Sequence, residues 1–327
     1  MFRWLRTGNP YNALLLLIYA IIVKYCFLSH PMVPVLQPQA DGWLYPYLVK
    51  GLRDGAGFTP TGFAILAFLL LFVQALLLNS IVNRFRLLPG ANYFPAFCFI
   101  LFSSFFSEWN NFSGPLVANL LLLMMVSGLF RLYDSQRSRG GAFSLGFITG
   151  VASLFYLPAL GLLPLIWITL LISRSFRPEE WILALAGTLC PYYFLATVLF
   201  LAGQLPLLDS LPVHLFSYPL LTQAYWLLAG MVLLIWWFLY GSIRLQRDYR
   251  KMMIHTRKCW QILLTFVCLG LALPFLPGLF SLTGWLAAFI PITVFIALGF
   301  WHIRKGWLAL LVHLSALAYI FLFHWVY

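Results

Sequence analysis

The chain has 327 residues, 63% of them hydrophobic and 9% charged, with twenty Lys and Arg, eight Asp and Glu, and a net charge of +12. Soluble domains carry about 25% charged residues, so this composition excludes a soluble globular enzyme and gives no support to a nucleic-acid partner. The five cysteines lie in or beside apolar stretches without a CxxC spacing; they read as small core residues, not as a disulfide framework or a thiolate metal site.

Eleven apolar stretches follow one another at roughly 11–29, 61–80, 92–107, 114–130, 142–157, 159–172, 181–203, 221–243, 259–275, 279–300 and 307–326. A helix that crosses a bilayer needs about 20 mostly apolar residues, and several of these stretches reach that length unaided. Seventeen of the twenty cations fall in alternate gaps: the leader with Arg3 and Arg6, then Arg84 and Arg86, Arg131 to Arg139, Arg174 and Arg177, the run from Arg244 to Lys258, and Arg304 with Lys305. Short loops rich in Lys and Arg stay cytoplasmic. The expected fold is therefore all-α and polytopic, with about eleven transmembrane helices, the N-terminus in the cytoplasm and the C-terminus outside. Removing or adding one span would place the remaining cations on the wrong side.

The first stretch has a basic lead-in like a signal peptide, but it is too long for a typical h-region and shows no small-x-small cleavage site, so it reads as an uncleaved helix. Lys24 lies within it near the outer end. Burying a lysine centrally costs about 2.5–3.5 kcal/mol or more; the alternatives are snorkelling to the outer headgroups or contact with a phosphate. His30 closes this stretch. The outer loop 30–60 begins with three prolines by position 38 and is extended there. Trp43, Leu44, Tyr47, Leu48 and Leu52 then recur at helical spacing, apart from Lys50, Arg53 and Asp54, which predicts a short amphipathic helix able to lie on the outer leaflet. Asp41, just ahead of that helix, has two readings. It caps the helix, a role worth about 0.5–2 kcal/mol, or it is an acid at the lipid–water boundary available as a base.

The second outer loop, FFSEWNNFSGP, holds Glu108 at the hydrocarbon edge. An acid there is either solvated at the interface or functional, since ionisable groups at membrane depth need a partner. The stretch 92–107 is short, and the pair 142–172 fits two crossings into about thirty residues hinged at Leu157 and Pro158. At about 24 Å each, these halves fall short of a hydrocarbon core of about 30 Å and are expected inside the bundle or in a thinned bilayer. Pro191, Pro274, Pro277 and Pro291 are expected to kink or end their helices. A third outer loop carries Asp209 and His214; no ligand spacing joins His214 to His30, so no metal or other cofactor is expected. A transporter would need polar groups at mid-membrane, and Gln74, Asn119, Thr149 and Thr188 are the main ones. The basic run RLQRDYRKMMIHTRK at 244–258 is expected as a cytoplasmic loop between an N-terminal membrane module, 1–243, and a C-terminal appendage, 259–327.

Residues 94–196 carry FPAFCFILFSSFFSEWNNFSGPLVANLLLL, then FRLYDSQRSRGGAFSLGFITGVASLFYLPALGLLPLIWITLLI, then FRPEEWILALAGTLCPYYFLA. This stretch resembles an uncharacterised family of polytopic inner-membrane proteins from Bacteroidetes, which implies a bacterial inner membrane and no established activity. More distantly, GFITGVASLFYLPALGLLPL is similar to the Gly-x-x-x-Gly helix and apolar hairpin of GT-C-type membrane glycosyltransferases that use polyprenyl-phosphate sugars. That resemblance implies a core of about seven helices. By position it matches Asp41 to the first-loop catalytic acid and Glu108 to the second-loop acid. The chain departs from that pattern in that Asp41 has no adjacent acid.

The expected function is transfer of a sugar or similar group from a polyprenyl-phosphate donor at the outer face, in contact with membrane lipids. Asp41 would be the general base and Glu108 would orient the acceptor or help hold a divalent metal. Lys24, Lys50 and Arg53, with His30 and His214, would bind substrate. The rival is a non-catalytic membrane subunit or scaffold that binds other envelope proteins.

Overall fold

Helix formation follows from the apolar stretches, because a peptide group in hydrocarbon must find its hydrogen-bond partner within its own segment. The structure, a computed structural model, describes residues 4–37, 40–132, 139–173, 176–203, 224–276, 281–303 and 306–326. Twelve α-helices are found among them: α1 (Tyr11–Ser29), α2 (Leu44–Lys50), α3 (Pro60–Arg84), α4 (Phe94–Ser103), α5 (Gly114–Arg131), α6 (Arg139–Phe155), α7 (Leu163–Ser173), α8 (Pro178–Leu201), α9 (Ala224–Asp248), α10 (Ile254–Ala272), α11 (Leu286–His302) and α12 (Gly306–Val326). Each of the eleven apolar stretches is one helix, and α2 is the amphipathic segment of the first outer loop. Seven helices are long and apolar enough to cross a membrane, and the apolar parts of α4, α6, α7 and α12 are shorter. The chain is thus an all-helical, polytopic membrane protein.

Local sequence sets the helix starts. Thr59 caps α3, its hydroxyl accepting from the Gly62 N–H at 3.3 Å with Pro60 in the first turn, the arrangement that satisfies orphan amides at a helix N-terminus. α4 has ten residues, all buried, and at about 15 Å it is an interior helix. The α6–α7 hinge falls where expected, with α6 ending at Phe155 and a 3₁₀ turn over Leu157–Leu162. α6 and α8 touch backbone to backbone: a Cβ on Gly146 would lie 2.0 Å from the Ala184 carbonyl oxygen and one on Gly187 2.2 Å from that of Phe143. Small residues allow such approach between membrane helices. Pro274 lies in the turn after α10, whereas Pro191 and Pro291 sit inside α8 and α11, which continue through them. Pro277 lies outside the described residues.

Two features differ from the sequence reading. α2 turns Tyr45 and Val49 inward and leaves Tyr47 exposed, so its buried face is offset from the one expected, because Tyr45 donates to the Phe112 carbonyl at 3.0 Å. The run 244–258 is mostly helical, shared between the end of α9, a 3₁₀ turn over Tyr249–Lys251 and the start of α10. The trailing helix α11 is the most buried of the long helices, with 83% of its apolar window inside the protein, and packs on α4, α5, α9 and α10. The outward faces of α1, α8 and α9 present Ile18, Ile22, Phe194 and Val232, the surface that hydrocarbon would cover.

The loops sort into two ends. At one, Arg6 donates to the carbonyls of Trp301 and Ile303 at 3.4 and 3.3 Å, and Lys258 donates to the Ser173 carbonyl at 3.3 Å. At the other, Gln37 donates to Ser281, and Trp109 to the Leu282 carbonyl. Every one of these pairs joins segments of the same parity in the span count, as alternate crossing requires. Mid-bundle polar groups are engaged within the fold: Gln74 donates to the Leu116 carbonyl and accepts from Asn119, while Thr149 and Thr188 bond the carbonyls one turn back.

Candidate functional site

The first outer loop is stitched to the α6–α7 hinge. Asp41 and Tyr156 form an isolated antiparallel bridge, with Gly42 N–H donating to the Phe155 carbonyl and Leu157 N–H to that of Ala40, both at 3.0 Å. Gly42 is needed for this approach, since a Cβ there would stand 2.2 Å from the Leu154 carbonyl oxygen. Asp41 does not cap α2, which has Trp43 at its cap position and no side-chain cap bond. Its carboxylate turns back instead, and Oδ2 accepts from the Gln37 N–H at 2.6 Å while the Asp41 N–H donates to the Gln37 carbonyl at 2.8 Å. The Oδ1 atom rests against Gly114 at the start of α5, where a Cβ would lie 2.7 Å away.

Asp41 is half-buried. Burial pushes its carboxyl up to about 7, and the bond from the Gln37 N–H pulls it back in part. The start of α5 is an N-terminal helix end, which favours the charged form as well. Burial raises the phenols of Tyr45 and Tyr156, and the charge of Asp41 raises them further. An acid held between two neutral tyrosines, ionising near neutrality, is suited to take up and release a proton.

Glu108 lies in the 3₁₀ turn Ser107–Asn110 between α4 and α5, exposed beside the buried Trp109 and Asn110. Desolvation raises its carboxyl, though its exposure makes this shift count for less than that of Asp41. Asp41 and Glu108 belong to the same end of the bundle and are connected through the segment 281–283. Gln37 donates to Ser281 Oγ at 3.2 Å, and Trp109 Nε1 donates to the Leu282 carbonyl at 2.8 Å. Among the described residues no hydrogen bond joins the two acids directly.

The cations are not gathered around Asp41. Lys24 is buried, at 3% exposed, and its ammonium donates to Ser103 Oγ at 3.0 Å and to Asn110 Oδ1. It neither snorkels nor reaches outward for a phosphate, because Ser103 and Asn110 supply the acceptors that headgroups would have supplied. Lys50 and Arg53 are exposed at the end of α2 and in the π-helical turn Gly51–Gly55. His30 is exposed, with Nδ1 3.0 Å from Ser29 Oγ. His214 and Asp209 lie outside the described residues. Among the described residues no three of His, Cys, Asp and Glu come together as a metal site.

Sequence reasoning missed Gln37, Tyr156 and Ser281. The only signal for Tyr156 was its place directly ahead of the hinge at Leu157 and Pro158. Gln37 and Ser281 act across 244 positions of sequence, and neither belongs to a local pattern.

Fold and site together define a polytopic helical membrane protein with an acid-bearing first loop folded onto a helical hairpin. The chain matches no family model, and no curated protein resembles it in sequence. In three dimensions it is similar to ArnT from Cupriavidus metallidurans, whose crystal structure was determined bound to undecaprenyl phosphate. The TM-score is 0.55 at 14% identity, over 94% of this chain and 62% of ArnT. The chain therefore spans less than two thirds of that protein's length, and the likeness gives the fold alone.

Proposed function

We propose that this chain is a transferase of the bacterial inner membrane that takes a sugar or similar group from a polyprenyl-phosphate donor at the outer face. The observation that carries this reading is the Asp41 carboxyl, half-buried between Tyr45, Tyr156 and Gly114, fixed through one oxygen by the Gln37 N–H. The likeness in fold to ArnT, a protein crystallised with undecaprenyl phosphate, and the first-loop resemblance to membrane glycosyltransferases support it.

In this scheme Asp41 takes the proton of the acceptor hydroxyl. The acceptor oxygen bonds to the sugar carbon as the bond from that carbon to the phosphate oxygen breaks, and the lipid phosphate leaves with the electron pair. A base ionising near neutral pH suits the task. Lys50 and Arg53, on a helix at the membrane surface, neutralise the phosphate as it leaves, and His30, exposed at the end of α1, borders the same outer face. Glu108 orients the acceptor. Lys24 takes no part, since Ser103 and Asn110 occupy it.

A second reading, a non-catalytic subunit that binds envelope proteins, draws on the absence of described contacts from Lys50 and Arg53 to Asp41. Proteoliposomes supplied with a polyprenyl-phosphate-linked sugar and an acceptor separate the two readings. Release of polyprenyl phosphate, falling about 10²–10⁴-fold in Asp41→Asn as loss of general-base catalysis requires, supports the transferase. Equal release by wild type and Asp41→Asn sinks it.

A further inference from the structure

At the end opposite Asp41, two cavities meet at a pair of arginines. One, of about 970 Å³, is lined among the described residues by Arg84, Arg86, Arg131 and Lys251, and by the acid Asp248. That acid is already engaged, Asp248 Oδ2 lying 2.7 Å from His302 Nε2. The other, of about 610 Å³, is a groove between α3, α5 and α6, lined by Leu77, Leu123, Met124 and Ile148 and again by Arg84 and Arg131. From Arg84 back to Leu77 the groove follows α3 for about 10 Å at 1.5 Å per residue. Met124, on its wall, is 49% exposed, so the groove opens sideways toward hydrocarbon.

Arginines at the C-terminal ends of α3 and α5 are what membrane topology and the helix dipole favour by themselves. Arg86 is different. It stands just past the end of α3 at φ 49°, in a Schellman turn closed by Leu87 N–H to the Val82 carbonyl at 3.0 Å and Arg86 N–H to that of Asn83 at 3.3 Å. Glycine is the usual residue there, because a left-handed conformation strains a side-chain-bearing residue. Strain of this kind concentrates at ligand sites, and here it places a third arginine in the cavity lining.

We propose that this end of the bundle binds a lipid phosphate. Its phosphate sits among Arg84, Arg86 and Arg131, and the first part of its hydrocarbon lies in the α3–α5–α6 groove. Guanidinium forks match phosphate oxygens in pairs, and a groove lined mainly by apolar side chains, with Ser80, Ser127 and Ser144 among them, and cationic at one end is complementary to an amphiphile with an anionic head. On the orientation dictated by the cation count, the site opens to the inner leaflet, separate from the chemistry proposed for Asp41.

The test is native mass spectrometry of the purified full chain in mild detergent, titrated with phosphatidic acid, with phosphatidylcholine, and with inorganic phosphate as competitor. Phosphatidic acid binds in preference to phosphatidylcholine, and its affinity falls about tenfold or more in Arg84→Gln with Arg131→Gln, as loss of charge-assisted hydrogen bonds requires. Arg86→Gly also weakens it while keeping or raising the thermal midpoint, because glycine relieves the left-handed strain, so the loss is not unfolding. Asp41→Asn leaves binding unchanged. Unaltered affinity in the arginine variants reduces the cluster to a topology signal and overturns the proposal. Displacement by inorganic phosphate at concentrations equal to the lipid overturns the role of the groove, and loss of binding in Asp41→Asn overturns the location.

Discussion

Asn110→Ala tests whether Lys24 is buried or reaches the headgroups. The Asn110 carboxamide accepts from the Lys24 ammonium through Oδ1 and donates through Nδ2 to the carbonyls of Ser103 at 3.1 Å and Phe106 at 2.9 Å. A hydrogen bond to a charged group contributes about 1.5–3 kcal/mol, and neutral polar contacts inside membrane proteins average about 0.6 kcal/mol each. The substitution therefore costs about 3–4 kcal/mol. Lys24→Met, of similar length, removes the buried charge together with its need for acceptors. Ser103 Oγ keeps its bond to the Ile100 carbonyl at 3.1 Å, so only Asn110 Oδ1 is orphaned, for about 1–3 kcal/mol, less whatever is regained by no longer desolvating the ammonium. In a double-mutant cycle measured by equilibrium unfolding in mixed micelles, the pair couples by about 1.5–3 kcal/mol. A coupling near zero, with Asn110→Ala no more costly than Lys24→Met, would show that the lysine lies at the surface and would refute this reasoning.

Asp41 also makes stability depend on pH. Its folded-state value near 7 stands above the ordinary 3.8, so the folded chain holds a proton that the unfolded chain has lost. That contribution is complete below 3.8, declines as pH rises and is gone above about 7. Wild type therefore loses stability relative to Asp41→Asn across this window and runs parallel to it above, whereas a constant offset from pH 4 to 8 in thermal-shift curves would count against the buried acid. The same ionisation makes the transfer rate climb with pH to a plateau above about 7; a rate flat from pH 5 to 8 would separate Asp41 from the chemistry. Gly146→Ala forces α6 and α8 apart, since its Cβ would fall 2.0 Å from a carbonyl oxygen, and costs about 1–3 kcal/mol as overpacking does. Gly140→Ala, where a Cβ meets nothing within 4 Å, stabilises by about 0.4–1 kcal/mol, and thermal midpoints of equal size for the two would refute the contact.

The helical framework was legible because hydrocarbon imposes one rule on every segment, and the cation alternation correctly paired the loops that meet at each end. The α6–α7 hinge was legible in Leu157 and Pro158, whereas the tight α6–α8 contact at Gly146 and Gly150 emerged only from the structure, because its partners lie on a helix some forty positions further on. The destination of side chains was not legible either. Lys24 read as a snorkelling or phosphate-binding cation because its acceptors, Ser103 and Asn110, lie 79 and 86 positions away, where no local periodicity reaches. Asp41 read as either a helix cap or a base, by its position ahead of α2. Its bridge to Tyr156 is a long-range strand-like contact inside a helical protein, and it turns the carboxylate toward Gln37. The left-handed backbone of Arg86 was hidden because such a residue at a helix end is usually written in sequence as glycine, and here it is arginine.

Mass spectrometry of lipids co-purified in mild detergent tests the central claim most directly, with wild type and Asp41→Asn compared side by side. A transferase whose base is Asp41 yields spent polyprenyl phosphate from wild type and the sugar-loaded carrier from Asp41→Asn, which binds its donor but does not turn it over. Bulk phospholipids alone in both preparations, together with a co-eluting envelope protein, would contradict the transferase and assign the chain to the scaffold role.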